Sequence, residues 1–235
     1  NSDWYPPEFI DDFSKKFKTI IFDNRGGGRT DKPEIEYSIK LLADDTVGLM
    51  DALQIQKAHL YGGSMGGMIA QELVLNYPER VEKLVIASST CGFGRYVLPY
   101  TKVLELQDEL QQITDGRERI KLLTPLCFTE EFKQKRPEVI EQLIQRAMKQ
   151  PMGKDTFMNL SRAILKWDAC RRLKTITNPT MVIHGAKDVM IPVNNAEIIA
   201  KKIPGVKKVI LENSGHSLLE EYEKMVHAVI EFLEG

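Results

Sequence analysis

Gly62-Gly63-Ser64-Met65-Gly66-Gly67 sets a serine among glycines where an apolar run, Ala58 to Tyr61, gives way to a helix-forming stretch that starts at Met65. A strand that reverses sharply into a helix forces the corner residue into unfavourable backbone dihedrals, and side chains two positions to either side of it would collide. Gly62 and Gly66 are expected to remove those collisions. The helix after the turn points its unpaired N–H groups and the positive end of its dipole at the serine, where charge would develop on an attacked carbonyl oxygen. A glycine-rich turn that merely joins a strand to a helix has the same composition, so other segments must discriminate. Nucleotide loops are excluded by spacing: no lysine follows Gly67, and no register reads G-x-G-x-x-G.

Chain order supplies the discrimination. The β-rich run Thr180 to His184 ends in Gly185-Ala186-Lys187-Asp188, and the run Lys208 to Leu211 ends in Glu212-Asn213-Ser214-Gly215-His216. Serine, acid and histidine therefore follow one another, each in a loop directly after a predicted strand. Loops at the carboxyl ends of parallel strands share one edge of the sheet, so residues distant in sequence can meet there. A serine hydroxyl is a poor nucleophile at neutral pH; His216 would take its proton and return it to the leaving group. Asp188 would hold the imidazole in the required tautomer, and Asp168 is the next choice for that role.

These stretches, together with Phe22-Asp23-Asn24-Arg25-Gly26-Gly27-Gly28-Arg29-Thr30-Asp31-Lys32-Pro33 and Ile191-Pro192, resemble the α/β-hydrolase superfamily over nearly all of the chain except a middle segment. Within it the chain is similar to the small esterase, enol-lactonase and proline iminopeptidase branch. The resemblance implies the α/β-hydrolase fold, a mostly parallel sheet flanked by helices with a helical cap inserted after the family's sixth strand. It also implies a cofactor-independent carboxylic ester hydrolase with Ser64, Asp188 and His216 as its triad and the Met65 N–H as oxyanion donor. A serine at position 64 separates the chain from the haloalkane dehalogenases and epoxide hydrolases, whose nucleophile is an aspartate.

One departure stands out. Family members begin with three strands, and a His-Gly loop after the third supplies the second oxyanion donor. Here Asn1-Ser2-Asp3-Trp4-Tyr5 is similar to the stretch just after that loop. The expectation is a fragment of a longer polypeptide, or another segment in the place of the third strand, because an unpaired gap would leave backbone groups costly to bury.

Strand and helix alternate through a strand over 19–23, a helix over 38–53, strands over 58–61 and 83–87, and a helix over 65–77 between them. Alternation stops after Ser89 and resumes near Trp167, with a strand over 181–184, a helix over 194–202, a strand over 208–211 and a helix over 218–233. The expected organisation is core 1–91, helical cap 92–165 and core 166–235. Within the cap, helices are expected over 103–113 and 139–149, the second carrying Val139, Ile140, Leu143, Ile144, Ala147 and Met148 at helical spacing. Phe93, Tyr96, Phe128, Phe157 and Trp167 are the aromatic candidates for a pocket lining, with Tyr96 and Phe128 singled out as substrate contacts, although such residues are more often core.

The 235 residues carry 32 Lys and Arg against 33 Asp and Glu, so no global field favours nucleic acid or an acidic membrane. No run is apolar enough to span a bilayer. Gly26-Gly27-Gly28 reads as a tight turn braced by Asp23 and Arg25, and His59 and His227 read as structural. The three cysteines, Cys91, Cys127 and Cys170, are odd in number and lack ligand spacing, which predicts reduced thiols, a cytoplasmic setting and no metal site. The expected partner is a small-molecule ester or lactone, with an amide as a further option and homo-oligomerisation left open. Two readings of other classes remain: a small-molecule receptor on the same fold with little turnover, and a catalytically incompetent fragment.

Overall fold

Four β-rich runs form the strands β1 (Ala58–Gly63), β2 (Val81–Ala87), β3 (Thr180–Gly185) and β4 (Lys207–Leu211). The computed structural model describes residues 2–92, 106, 109, 110 and 112–235. The strands are all parallel and stand side by side in the order β1-β2-β3-β4. In chain order the helices are α1 (Pro7–Ser14), α2 (Ile39–Ala52), α3 (Met65–Asn76), α4 (Gly116–Leu123), α5 (Glu130–Lys135), α6 (Pro137–Ala147), α7 (Lys154–Lys166), α8 (Asn194–Ala200) and α9 (Tyr222–Glu234). The α2 boundary follows from Ser38, whose Oγ accepts a hydrogen bond from the Leu41 N–H at 3.0 Å and satisfies a first-turn donor.

The period of two along a strand sorts its side chains onto the two faces of the sheet. Leu84 and Ile86 of β2 and Val182 of β3 join Leu42, Leu73 and Ile199 in a core beneath α2, α3 and α8. Val85, Ala87, Met181 and Ile183 turn the other way onto Phe9 and Phe13 of α1 and Met225 and Val229 of α9. Both faces are therefore covered, which is why residues 84–87 of β2 and 181–183 of β3 read as continuous apolar runs rather than alternating ones.

Residues 19–23 do not behave as expected. They make no sheet pairing among the described residues, although Ile21 packs on the α1 and α9 side. A strand is defined by its ladder, and an apolar pattern without a hydrogen-bonded neighbour leaves Ile20 and Phe22 41% and 37% exposed. The turn that follows is as tight as the glycines suggest: a Cβ on Gly28, which has φ +47°, would lie 2.0 Å from Asp23 Oδ2. Asp23 accepts from the backbone N–H groups of Ser2 at 2.5 Å and Arg29 at 2.9 Å, while Arg25 pairs with Asp45 of α2 through Nε at 2.7 Å.

Helices α4 to α7 lie between β2 and β3, with a small core of Cys127, Phe128, Ile140, Leu143 and Ile144. The expected 139–149 helix is α6, and its buried stripe is Ile140, Leu143, Ile144 and Ala147. Most of the expected 103–113 helix lies outside the described residues. The two roots of this insertion meet: Gly92 bridges Asp168, and the Ala169 N–H donates to the Cys91 carbonyl at 2.8 Å. That approach joins Cys91 and Cys170 in a disulfide across 79 residues of sequence, which corrects the expectation of three reduced thiols. Only Cys127 is a free cysteine among the described residues, and the odd count no longer speaks for a reducing compartment.

The serine turn has the strain expected of it. Ser64 sits at φ +53°, ψ −120°, outside the regions open to L-residues, and the structure fixes it from both sides. Its N–H donates to the Ala87 carbonyl at 2.9 Å, and its carbonyl accepts from the Gly67 N–H at 2.9 Å and Ser89 Oγ at 2.8 Å. A Cβ on Gly62 would lie 2.3 Å from the Gly66 carbonyl oxygen, so glycine is required there. Gly66 departs from expectation, since a Cβ on it would meet nothing within 4 Å among the described residues; Gly67 is the second constrained position, its Cβ falling 2.6 Å from that of Ser89.

Two stability measurements check these points. Gly62→Ala is expected to cost about 3 kcal/mol or more, because backbone cannot yield as a side chain can. Gly66→Ala should lie within about 1 kcal/mol of the parent and on the stabilising side, since alanine favours a helix over glycine. Equal denaturant midpoints for the two would contradict the geometry. Reducing the disulfide, or Cys91→Ser, is expected to lower the unfolding free energy by up to about 4.5 kcal/mol, the chain-entropy value for a crosslink at a sequence separation of 79.

Candidate active site

The carboxyl ends of the four strands line up in register: Gly63 of β1 faces Ala87 of β2, Ala87 faces Ile183 of β3, and Gly185 faces Leu211 of β4. Ser64, Asp188 and His216 each lie in the segment that leaves this edge after β1, β3 and β4. The two later loops are pressed together, since a Cβ on Gly185 would fall 2.2 Å from the Gly215 carbonyl oxygen. The Lys187 N–H donates to the Ser214 carbonyl at 2.9 Å and locks one loop on the other. Glu221 anchors the far side of the histidine loop by accepting from the Asn213 N–H at 2.7 Å and Ser214 Oγ at 3.3 Å.

Within that frame Asp188 and His216 meet directly. The imidazole donates its Nδ1–H to Asp188 Oδ2 at 2.7 Å, which leaves Nε2 as the acceptor. Asp188 Oδ1 accepts from the backbone N–H groups of Met190 and Ile191, both at 2.9 Å. Burial opposes ionisation of Asp188, but the charges and hydrogen bonds of His216 and His184 outweigh it, and the carboxyl titrates well below the usual range. Burial likewise disfavours the His216 cation; the facing Asp188, with a further contribution from Glu220, reverses the sign and raises its pKa.

His184 is the site residue that sequence reasoning missed. Fully buried at the end of β3, it donates from Nε2 to the Ile191 carbonyl at 2.7 Å and approaches Asp188 Oδ2 at 3.2 Å. Its signal was a spacing of four residues from Asp188, with both groups in one tight turn. Asp168 is elsewhere: its Oδ1 accepts from the Cys170 N–H at 2.8 Å in the root of the insertion.

Ser64 Oγ makes no hydrogen bond among the described residues, so the structure places the serine on the same edge as the His–Asp pair without joining them by a bond. Met65 is the first residue of α3, and its N–H has no acceptor within the helix. Phe128 is buried in the insertion, stacked on Phe132 at 5.4 Å between ring centroids, while its backbone carbon packs against Gly215. Tyr96 and Phe93 lie outside the described residues. Trp167 is held by its indole N–H, which donates to Glu72 at 2.8 Å, and Phe157 packs under Arg119. A cleft of about 680 Å³ runs along α6 beside Pro6, Leu219 and Tyr222, and none of Ser64, Asp188 and His216 lines it. Among the described residues no cluster of three His, Cys, Asp or Glu side chains is arranged for a metal ion, and no helix is long and apolar enough to cross a membrane.

Several hydrolases are similar to this chain. A 3-oxoadipate enol-lactonase of Acinetobacter baylyi is 28% identical over 92% of this chain and 79% of its own length. A poly(3-hydroxyalkanoate) depolymerase of Ectopseudomonas oleovorans is 27% identical over 96% of this chain and 78% of its own. The crystal structure of an enol-lactonase from Burkholderia xenovorans superposes with a TM-score of 0.86 at 25% identity, covering 100% of this chain and 86% of that one. Residues 1–222 match the α/β hydrolase fold family as a whole, and with the parallel sheet, the serine turn and the His–Asp pair at one edge, the chain belongs to that family.

Proposed function

We propose that the protein is a serine hydrolase that cleaves a small carboxylic ester or lactone through an acyl-enzyme. The observation that carries this reading is the 2.7 Å bond from His216 Nδ1 to the buried Asp188, on the edge where Ser64 is held in a strained turn. The enol-lactonases and the polyester depolymerase among its relatives support the substrate class.

The chemistry follows from the atoms available. Ser64 Oγ attacks the acyl carbon while its proton passes to His216 Nε2, and Asp188 stabilises the resulting imidazolium. Charge collects on the former carbonyl oxygen, where the Met65 N–H and the amino end of α3 oppose it. Collapse expels the alcohol oxygen, which takes the proton from His216. For a lactone that hydroxyl stays attached to the acyl group. Water, deprotonated by the same histidine, then hydrolyses the acyl-enzyme. The segment 92–165 acts in this reading as a cap over the serine, with Phe128 at its inner side.

Hydrolysis of p-nitrophenyl esters tests the proposal. Ser64→Ala should lower kcat by about 10⁴-fold or more with little change in KM, and a fluorophosphonate should label Ser64. Because His216 must be neutral to accept a proton and its pKa is raised, kcat/KM should increase with pH through a midpoint above the ordinary imidazole value of about 6.5. Asp188→Asn should reduce kcat by about 10⁴-fold and move that midpoint down, since the charge that favours the cation is gone. Full activity in Ser64→Ala would overturn the assignment.

A further inference from the structure

Glu220 lies four residues after His216, in the single 3₁₀ turn Leu219–Glu221 that precedes α9. Its two carboxylate oxygens face different parts of the molecule. Oε1 accepts from the backbone N–H of Thr129, the cap residue of α5 in the insertion, at 2.9 Å. Oε2 accepts from the hydroxyl of Ser217, the residue after the histidine, at 3.2 Å. Beside this bridge the Ser217 N–H donates to the Cys127 carbonyl at 2.9 Å. Gly215, on the other side of His216, is overlain by the same groups, because a Cβ there would lie 2.9 Å from the Cys127 carbonyl and 3.2 Å from Glu220 Oε1. Between His216 and Glu220 the buried Leu218 is held at φ +63°, a left-handed conformation that a leucine does not keep without external restraint.

We infer that Glu220 is a positioning residue that latches segment 127–129 of the insertion to the histidine loop, so that His216 is held against Asp188 when the insertion is seated. This rests on the serine hydrolase reading above. The latch is asymmetric in a useful way: its geometry acts on where the imidazole stands, whereas its charge acts on how readily the imidazole takes a proton. Among the described residues the ionisable groups around His216 are Asp188 from the β3 turn, with His184 behind it, Glu220 from its own loop, and from the insertion the Cys127 thiol, which burial keeps neutral. Glu220 is thus a second carboxylate near the imidazole, and among the described residues the insertion contributes no charge to this set.

Three variants separate position from charge. Glu220→Ala removes both, and should lower the plateau kcat at alkaline pH by between about 10- and 100-fold, the scale of a small misplacement of a catalytic group. Its kcat/KM midpoint should also move to lower pH. Glu220→Gln keeps an acceptor for Thr129 and a partner for the Ser217 hydroxyl, and should restore most of the plateau while leaving the midpoint at the lower value. Thr129→Pro deletes the donor from the insertion side at a residue whose φ of −68° suits proline, and should lower the plateau without moving the midpoint. Each profile is measured with p-nitrophenyl acetate alongside thermal unfolding and fluorophosphonate labelling of Ser64. Should Glu220→Ala fail to fold, the Thr129→Pro and Glu220→Gln pair still decides between outcomes. A parent-like plateau in both Glu220→Ala and Thr129→Pro, with Ser64 labelled and Ser64→Ala inactive, would overturn the latch and leave the hydrolase reading standing. Retained turnover in Ser64→Ala would instead remove the reading on which it rests.

Discussion

The carboxylate of Asp188 is a charge with almost no access to water, and the loops at the working edge of the sheet are arranged around it. An unpaired ion in such a place would cost several kcal/mol or would give up its charge. Here the cost is met by three hydrogen-bond donors and one close imidazole. Two donors are backbone N–H groups of its own turn and the third is His216 from the neighbouring loop, while the buried His184, whose Nε2–H goes to the Ile191 carbonyl, stands 3.2 Å away at the strand end. Satisfying the ion is therefore the same act as orienting the imidazole: Nδ1 must carry the proton that Asp188 requires, so Nε2 is left to accept another. Loss of either histidine would leave the remaining donors around a charge that they no longer balance.

Much of this was legible in the sequence because it depends on local rules. A serine between glycines at a strand-to-helix corner, and acid and histidine each just past an apolar run, survive translation into structure because strand ends in a parallel sheet share one edge. What the sequence could not convey depends on contacts made across it. The apolar stretch 19–23 has the composition of a strand but finds no ladder partner among the described residues. The second constrained glycine is Gly67 rather than Gly66, because the obstruction comes from Ser89, more than twenty positions away. Cys91 and Cys170 are brought together only when both roots of the insertion return to the same place. His184 reads as the last residue of a buried strand, and its four-residue spacing from Asp188 becomes a contact only when the turn between them is closed.

The sheet and the insertion differ in how they hold their parts. Beneath the working edge, β2 and β3 are packed on both faces, so the positions from which the loops depart are as firm as the core itself. The insertion has its own small core, and among its links to the sheet side are a few polar contacts and the meeting of its two roots. Precision in the site thus comes from below, through the strands, while the contacts made by residues 127–129 reach the histidine loop from the side.

The disulfide gives this arrangement a topological property. Because Cys91 and Cys170 close a ring that contains every helix from α4 to α7, the insertion is a covalent loop hung from one point of the sheet. A single peptide-bond break anywhere within that loop would open the ring and still leave both halves of the core joined in one molecule. The insertion can consequently be severed, rearranged or lengthened in one place without releasing the strand that carries Ser64 from the strands that lead to Asp188 and His216.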